Sequence, residues 1–221
     1  MTTALAHFCD IHGPAVVFST YEGAGAKRPA ADASNSPNGC VSCAFRPGHG
    51  AVMIRSRIHE HTFLSTATPK TPLLYRRLRQ SCLQSLSCEV LPTRTGPMLF
   101  GSHEEGGGND DEEENGYTIA YVFYLLDKRA RGGKRWYALL YVAPETQAVS
   151  AWTCVVRAFT LIADDLARRQ EDEDVVASSG ELTGFLRSAA SKSRNLVDLA
   201  GDSVFVDLHA NFARVLYQTC D

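Results

Sequence analysis

The sequence predicts an α/β protein of the α+β type, built as a mainly antiparallel sheet with helices packed on it. Three observations carry this expectation. Short β-favouring runs are separated by Gly and Pro turn signals, three segments place apolar residues at helical spacing, and the order of these elements suits a sheet of hairpins covered by helices. At 221 residues the chain is long enough to bury a sizeable core.

Ala4 to Phe8 and Ala15 to Thr20 read as strands joined at His12-Gly13-Pro14, a hairpin signal. From Gly23 to Gly50 the composition shifts to Gly, Ala, Pro, Ser and Asn, which cannot offset its ordering entropy by burial and is expected to form a flexible insertion. Val52, Ile54, Ile58, Phe63 and Leu64 then give one strand or a broken pair between Ala51 and Thr66. Thr71-Pro72 starts a helix, Thr as cap and Pro at the first helical position, and Leu74, Leu78, Cys82 and Leu86 form its apolar stripe.

Extended structure resumes after Gly96-Pro97 at Met98 to Phe100, and Tyr117 to Leu126 is rich in β-branched and aromatic residues, so the two runs are expected to pair. Between them the acidic, Gly-rich segment at about 102–116 repels itself and reads as a second flexible insertion. Arg135 to Val142 supplies another strand, with Pro144-Glu145-Thr146 as a turn. Trp152, Val155, Val156, Phe159, Ile162 and Leu166 mark an amphipathic helix to about Arg169, ended by the acidic run from Glu171. A polar stretch at 176–200 reads as a linker, and Phe205, Leu208, Phe212, Val215 and Leu216 mark a last helix within 201–221.

A net charge of −3 and a pI near 6.2 supply no global attraction to nucleic acid or anionic lipid, so no nucleic-acid partner is expected. The N-terminus has no basic region followed by an apolar one, and no later run suggests a bilayer span, so no direct transmembrane insertion is expected. Seven cysteines, an odd count without a signal peptide, suit free thiols in a reducing, cytoplasmic compartment.

The motifs of P-loop nucleotide binding, dinucleotide binding, zinc proteases and α/β-hydrolases are all missing, which argues against a self-contained enzyme and leaves no cofactor implied. Two constellations remain. Lys128, Arg129, Arg131, Lys134 and Arg135 surround Gly132-Gly133 on a connection expected to be exposed and mobile, either a solvated hairpin tip or a loop presenting a guanidinium to phosphate. Cys40-Val41-Ser42-Cys43, with His49 beyond it and His59 and His61 further on, has metal-type spacing for zinc, against two free thiols as the plainer reading. His7, Cys9 and His12 make a weaker group, because alternation along a strand turns some of those side chains into the core.

An ordered set of phrases resembles the folliculin family: His7-Phe8-Cys9, His12-Gly13-Pro14, the Cys40 and Cys43 pair, Ser85 to Val90, Gly96-Pro97, Phe100-Gly101, Arg131-Gly132, Arg135-Trp136-Tyr137 and Trp152. The resemblance implies a DENN-related protein whose N-terminal longin domain, here 1–175, has a five-stranded sheet, with 201–221 beginning a missing or truncated DENN-type region. It further implies a longin partner of the folliculin-interacting type and stimulation of GTP hydrolysis by Rag C/D-type GTPases in nutrient-responsive TOR signalling. Recruitment to the lysosomal or vacuolar surface is implied as well. By position, Arg131 matches the family's arginine finger, with Arg129 the competing candidate by spacing. Against the family's pattern, the acidic insertion is long, and Gly133 and Lys134 stand where larger or neutral residues are usual. A non-catalytic longin binding module and a DENN-type exchange factor for a Rab GTPase are the alternatives.

Overall fold

A computed structural model describes residues 1–23, 40–48, 51–87, 95–102, 116–127, 129–180 and 194–219. The element order is β1 (Thr2–Cys9), β2 (Gly13–Glu22), β3 (Met53–Ile58), β4 (His61–Thr66), α1 (Pro72–Ser85), β5 (Gly96–Ser102), β6 (Gly116–Leu126), β7 (Lys134–Pro144), α2 (Glu145–Gly180), α3 (Leu196–Ala200) and α4 (Val204–Gln218). The sheet order is β3-β4-β2-β1-β7-β6-β5, and every neighbouring pair is antiparallel.

Among the described residues the sheet has seven strands rather than the five expected. The run from Ala51 to Thr66 makes two of them, because His59 adopts a left-handed φ of 51° in a two-residue turn and lets Ile58 pair with His61. The α+β class and the antiparallel pairing stand as expected.

Both faces of the central strands are covered, and side-chain size divides them. One face of β1, β6 and β7 carries Leu5, Ile119, Phe123, Tyr137, Leu139 and Tyr141 under α2, α3 and α4. The other carries Ala4, Ala6, Ala120 and Ala138 with Val122 and Leu140, and α1 lies on it through Leu78, Cys82 and Leu86. Small side chains on that face allow α1 to approach closely, while the large ones opposite fill the space beneath three helices. A register shift between Leu5 and Ala6, which pair with Phe18 and Val16, inserts Val17 as an extra residue in β2 and turns both Val17 and Phe18 into the larger core.

α1 begins as the sequence predicts, with the Thr71 hydroxyl accepting from the Leu74 amide at 3.2 Å and Pro72 in the first turn. α2 differs from expectation at both ends. It starts directly at Glu145, where Pro144-Glu145-Thr146 was expected to turn, because Pro144 ends β7 without interfering with the helix that follows. It also continues through the acidic run that was expected to end it, to Gly180. Gln170 on this extension accepts from the Leu126 amide at 3.2 Å, and Arg169 bridges Asp165 at 2.6 Å and Asp207 of α4 at 2.7 Å. Tertiary contacts at Arg169 and Gln170 thus anchor the helix up to the start of the acidic run.

The stretch Glu145–Glu173 is the one described helix long and apolar enough to cross a membrane, by length and composition alone. In this fold its apolar side is spent on the sheet through Ala148, Ala151, Val155, Phe159, Ile162 and Leu166, one side chain every three or four residues.

Residues 40–48 fall inside the expected flexible insertion, yet Cys43, Ala44 and Phe45 are buried. Phe45 stacks on Phe18 at 4.9 Å and meets Phe205 edge-on at 5.2 Å. Residues 24–39 of that insertion, and 103–115 of the acidic one, lie outside the described residues. Leu196 to Ala200, within the expected linker, form α3, capped reciprocally by Asn195 and Asp198. α4 shares the larger core, with Phe212 stacked on Phe18 at 5.5 Å.

Candidate functional site

The pairing of β1 with β7, in which His7 faces Tyr137, brings the β1–β2 turn and the β6–β7 loop to the same end of the sheet. The two constellations singled out from the sequence meet there.

Backbone hydrogen bonds close the β6–β7 loop into a tight turn. The Ala130 amide donates to the Asp127 carbonyl at 2.9 Å, the Gly133 amide to the Ala130 carbonyl at 3.0 Å, and the Asp127 amide to the Gly133 carbonyl at 3.1 Å. Arg131–Gly133 form a single 3-10 turn, which Gly132 and Gly133 close with left-handed φ values of 75° and 72°. Glycine reaches that region without the Cβ clash other residues meet.

Beneath the turn, Arg135 donates to the Asp127 carboxylate through Nη2 at 2.9 Å and Nε at 3.3 Å, with both side chains buried. The other Asp127 oxygen accepts from the Arg129 amide at 3.0 Å. One buried carboxylate thus ties the base of the loop to its ascending limb. Lys134 lies 4.0 Å over the Tyr124 ring, a cation–π contact that holds it along β6.

The five basic residues are consequently not equivalent. Arg135 belongs to the interior and Lys134 lies along the sheet, whereas the Arg129 side chain is exposed. Arg131 has its backbone at the tip of the turn; its side chain, and Lys128 altogether, lie outside the described residues.

Beside this loop, Cys9 ends β1, His12 follows in the β1–β2 turn, and Cys40 and Cys43 approach from the neighbouring segment. Their four donor atoms lie within 4.8 Å of one another. Cys9 Sγ is 3.6 Å from His12 Nδ1 and 3.9 Å from Cys40 Sγ, and Cys43 Sγ is 3.6 Å from the same His12 nitrogen. His7, fully buried, stands behind them with Nε2 3.2 Å from Cys43 Sγ and its ring stacked on Tyr137. Hydrogen bonding from Cys43 and from the Ile11 and His12 amides draws the Cys9 thiol down, towards thiolate, while the same Cys9–Cys43 contact pushes Cys43 up.

Of the zinc candidates expected from sequence, Cys40 and Cys43 therefore sit in a thiol-imidazole cluster, but with Cys9 and His12 as companions. His49 lies outside the described residues. His59 and His61 belong to the β3–β4 hairpin, where His61 pairs with Glu22 at 2.6 Å. The available signal was the repeated spacing of Cys9-x2-His12 and Cys40-x2-Cys43, each a single turn presenting two side chains to one side. Asp127 carried no comparable signal, since an Asp after a strand commonly starts a turn.

Residues 61–219 match the family described as "Folliculin: Vesicle coat protein involved in Golgi to plasma membrane transport". The chain is 27% identical to folliculin of Bos taurus and of Xenopus tropicalis and 26% identical to that of Homo sapiens, in each case over 96% of this chain and 44% of the relative. It thus spans less than half the length of these relatives. The matched span takes in most of the described sheet, the four described α-helices and the β6–β7 loop, and on that breadth the chain belongs to the folliculin family.

Proposed function

We propose that the chain is the longin-type portion of a DENN-related, GTPase-activating subunit that presents Arg131 to a Rag C/D-type GTPase in nutrient-responsive TOR signalling. In this reading it works beside a longin partner of the folliculin-interacting type and is recruited to the lysosomal or vacuolar surface. It does not turn over a substrate alone. Family membership supports the class of activity, and the observation that carries the residue assignment is the braced β6–β7 loop.

The chemistry follows from that loop. During GTP hydrolysis negative charge spreads over the γ-phosphoryl oxygens, and a guanidinium brought beside them stabilises the transition state more than the ground state. Such a group is effective only if little freedom remains to be lost when it docks. The Asp127–Arg135 pair, the three backbone hydrogen bonds and the left-handed glycines fix the backbone at Arg131 in advance. Arg129, whose amide is held by Asp127 and whose side chain is exposed, is the alternative donor.

The test is GTP hydrolysis under single-turnover conditions by a Rag C/D-type GTPase with the reconstituted complex. Arg131→Ala should lower the stimulated rate by about 10³-fold or more while leaving complex formation intact. Arg131→Lys should recover little, because an ammonium lacks the planar fork. Wild-type stimulation in the Arg131→Ala complex, with loss on Arg129→Ala, would move the role to Arg129. Association without stimulation even by the wild-type complex would make the chain a binding module.

A further inference from the structure

The basic loop does not account for the cluster beside it. Cys9 and His12 stand three residues apart across the β1–β2 turn, Cys40 and Cys43 three apart in a second turn, and the pairs face each other. Three sulfurs and one imidazole nitrogen converge from segments 31 residues apart.

Their spacing is informative. With Zn–S of about 2.3 Å and Zn–N of about 2.0–2.1 Å, the edges of a regular tetrahedron come to about 3.8 Å between sulfurs and about 3.6 Å between sulfur and nitrogen. Three of the six edges match these values, at 3.9 Å for Cys9 to Cys40 and 3.6 Å from His12 to both Cys9 and Cys43, and all four donor atoms lie within 4.8 Å of one another.

The surroundings also suit thiolate ligands. The Ile11 and His12 amides point hydrogen-bond donors at Cys9, and His7 Nε2 lies 3.2 Å from Cys43 Sγ. The backbone amides, and His7 in its Nε2–H tautomer, are outer donors of the kind that orient coordinating sulfurs and spread their charge. Cys9 and Cys43 are buried, Cys40 is half-buried, and the exposed His12 closes the outer side and leaves a route of entry.

We propose that Cys9, His12, Cys40 and Cys43 bind one zinc ion in a closed, four-coordinate structural site. Soft sulfur donors and tetrahedral spacing select zinc over the oxygen-seeking magnesium and calcium ions. Four protein ligands leave no position for substrate, so the ion's role is mechanical. It clamps the β1–β2 turn to residues 40–48, and thereby seats Phe45 against Phe18 and Phe205. This assignment does not depend on Arg131 or on GTP hydrolysis.

The test uses the full chain purified under reducing conditions and assayed for bound metal by mass spectrometry. About one zinc per chain is expected. After chelation, cobalt(II) should give the intense visible bands of a tetrahedral site with thiolate-to-metal charge transfer. His12→Asn, at an exposed position that should leave folding intact, should weaken zinc binding by more than about 100-fold. Cys154→Ser, on the exposed face of α2, should keep the full zinc content. A folded wild-type chain that takes up neither zinc nor cobalt would overturn the site. Undiminished affinity in folded His12→Asn would overturn the four-ligand set.

Discussion

At the scale of single residues, the buried pair between Asp127 and Arg135 ties the loop to the interior. Neither side chain reaches solvent, and among the described residues Arg135 Nη1 has no hydrogen-bond partner, so the two bonds between the pair fall on one carboxylate oxygen. Removing one member strands the other charge in a medium that solvates it poorly. Asp127→Ala or Arg135→Ala should therefore cost about 3–5 kcal/mol of unfolding free energy in urea titration, whereas Arg129→Ala should cost little. A cost below about 1 kcal/mol for Asp127→Ala would show that the pair does not brace the loop. Sequence alone made the loop visible as five basic residues but could not sort them, since sorting depends on which side chain meets Asp127 once the strands pair. The same limit applied to the thiols. Each i, i+3 pair is local and legible, but the meeting of Cys9 with Cys40 depends on where residues 40–48 pack.

At the scale of elements, signals written in neighbouring residues survived and those set by distant contacts did not. The α1 start needs only Thr71, Leu74 and Pro72, and it stands where expected. The continuation of α2 past Arg169 depends on Gln170 reaching β6 and Arg169 reaching α4, partners 44 and 38 residues away. The β6–β7 turn lies between these cases. Its paired glycines announce a tight connection, and the structure uses both in left-handed conformations with open space where a Cβ would stand. Gly133→Ala thus introduces backbone strain without a steric clash, and should cost about 1–2 kcal/mol, read as a shift in the denaturation midpoint. The proposed function adds a separate expectation. If the turn positions Arg131, Gly133→Ala should also slow stimulated hydrolysis while binding of the GTPase is retained; unaltered hydrolysis would mean that the turn's geometry does not matter to the reaction.

At the scale of the whole molecule, the question is whether the last helix belongs to the same cooperative unit as the sheet. Sequence position sets it apart, after a polar stretch read as a linker, yet packing joins it to residues from most of the chain. Phe212 is fully buried, stacks on Phe18 of β2 at 5.5 Å and lies 6.3 Å from Phe159 of α2. Phe205 meets both Phe18 and Phe45 edge-on, so the residue carried in by the 40–48 segment depends on α4 as much as on the sheet. Asp207 adds an ion pair to Arg169, although its exposure to water leaves that contact secondary to the aromatic cluster. Phe212→Ala should accordingly destabilise the molecule by about 3–5 kcal/mol through lost burial and a residual cavity. The two probes that test this report on different layers: Trp136 on β7 and Trp152 on α2 by fluorescence, and total helix by far-ultraviolet circular dichroism. Both should move together to lower denaturant in a single transition. An early loss of helical signal, with tryptophan fluorescence unfolding at the wild-type midpoint, would instead make α4 a separable appendage and remove the aromatic cluster as the keystone of the fold.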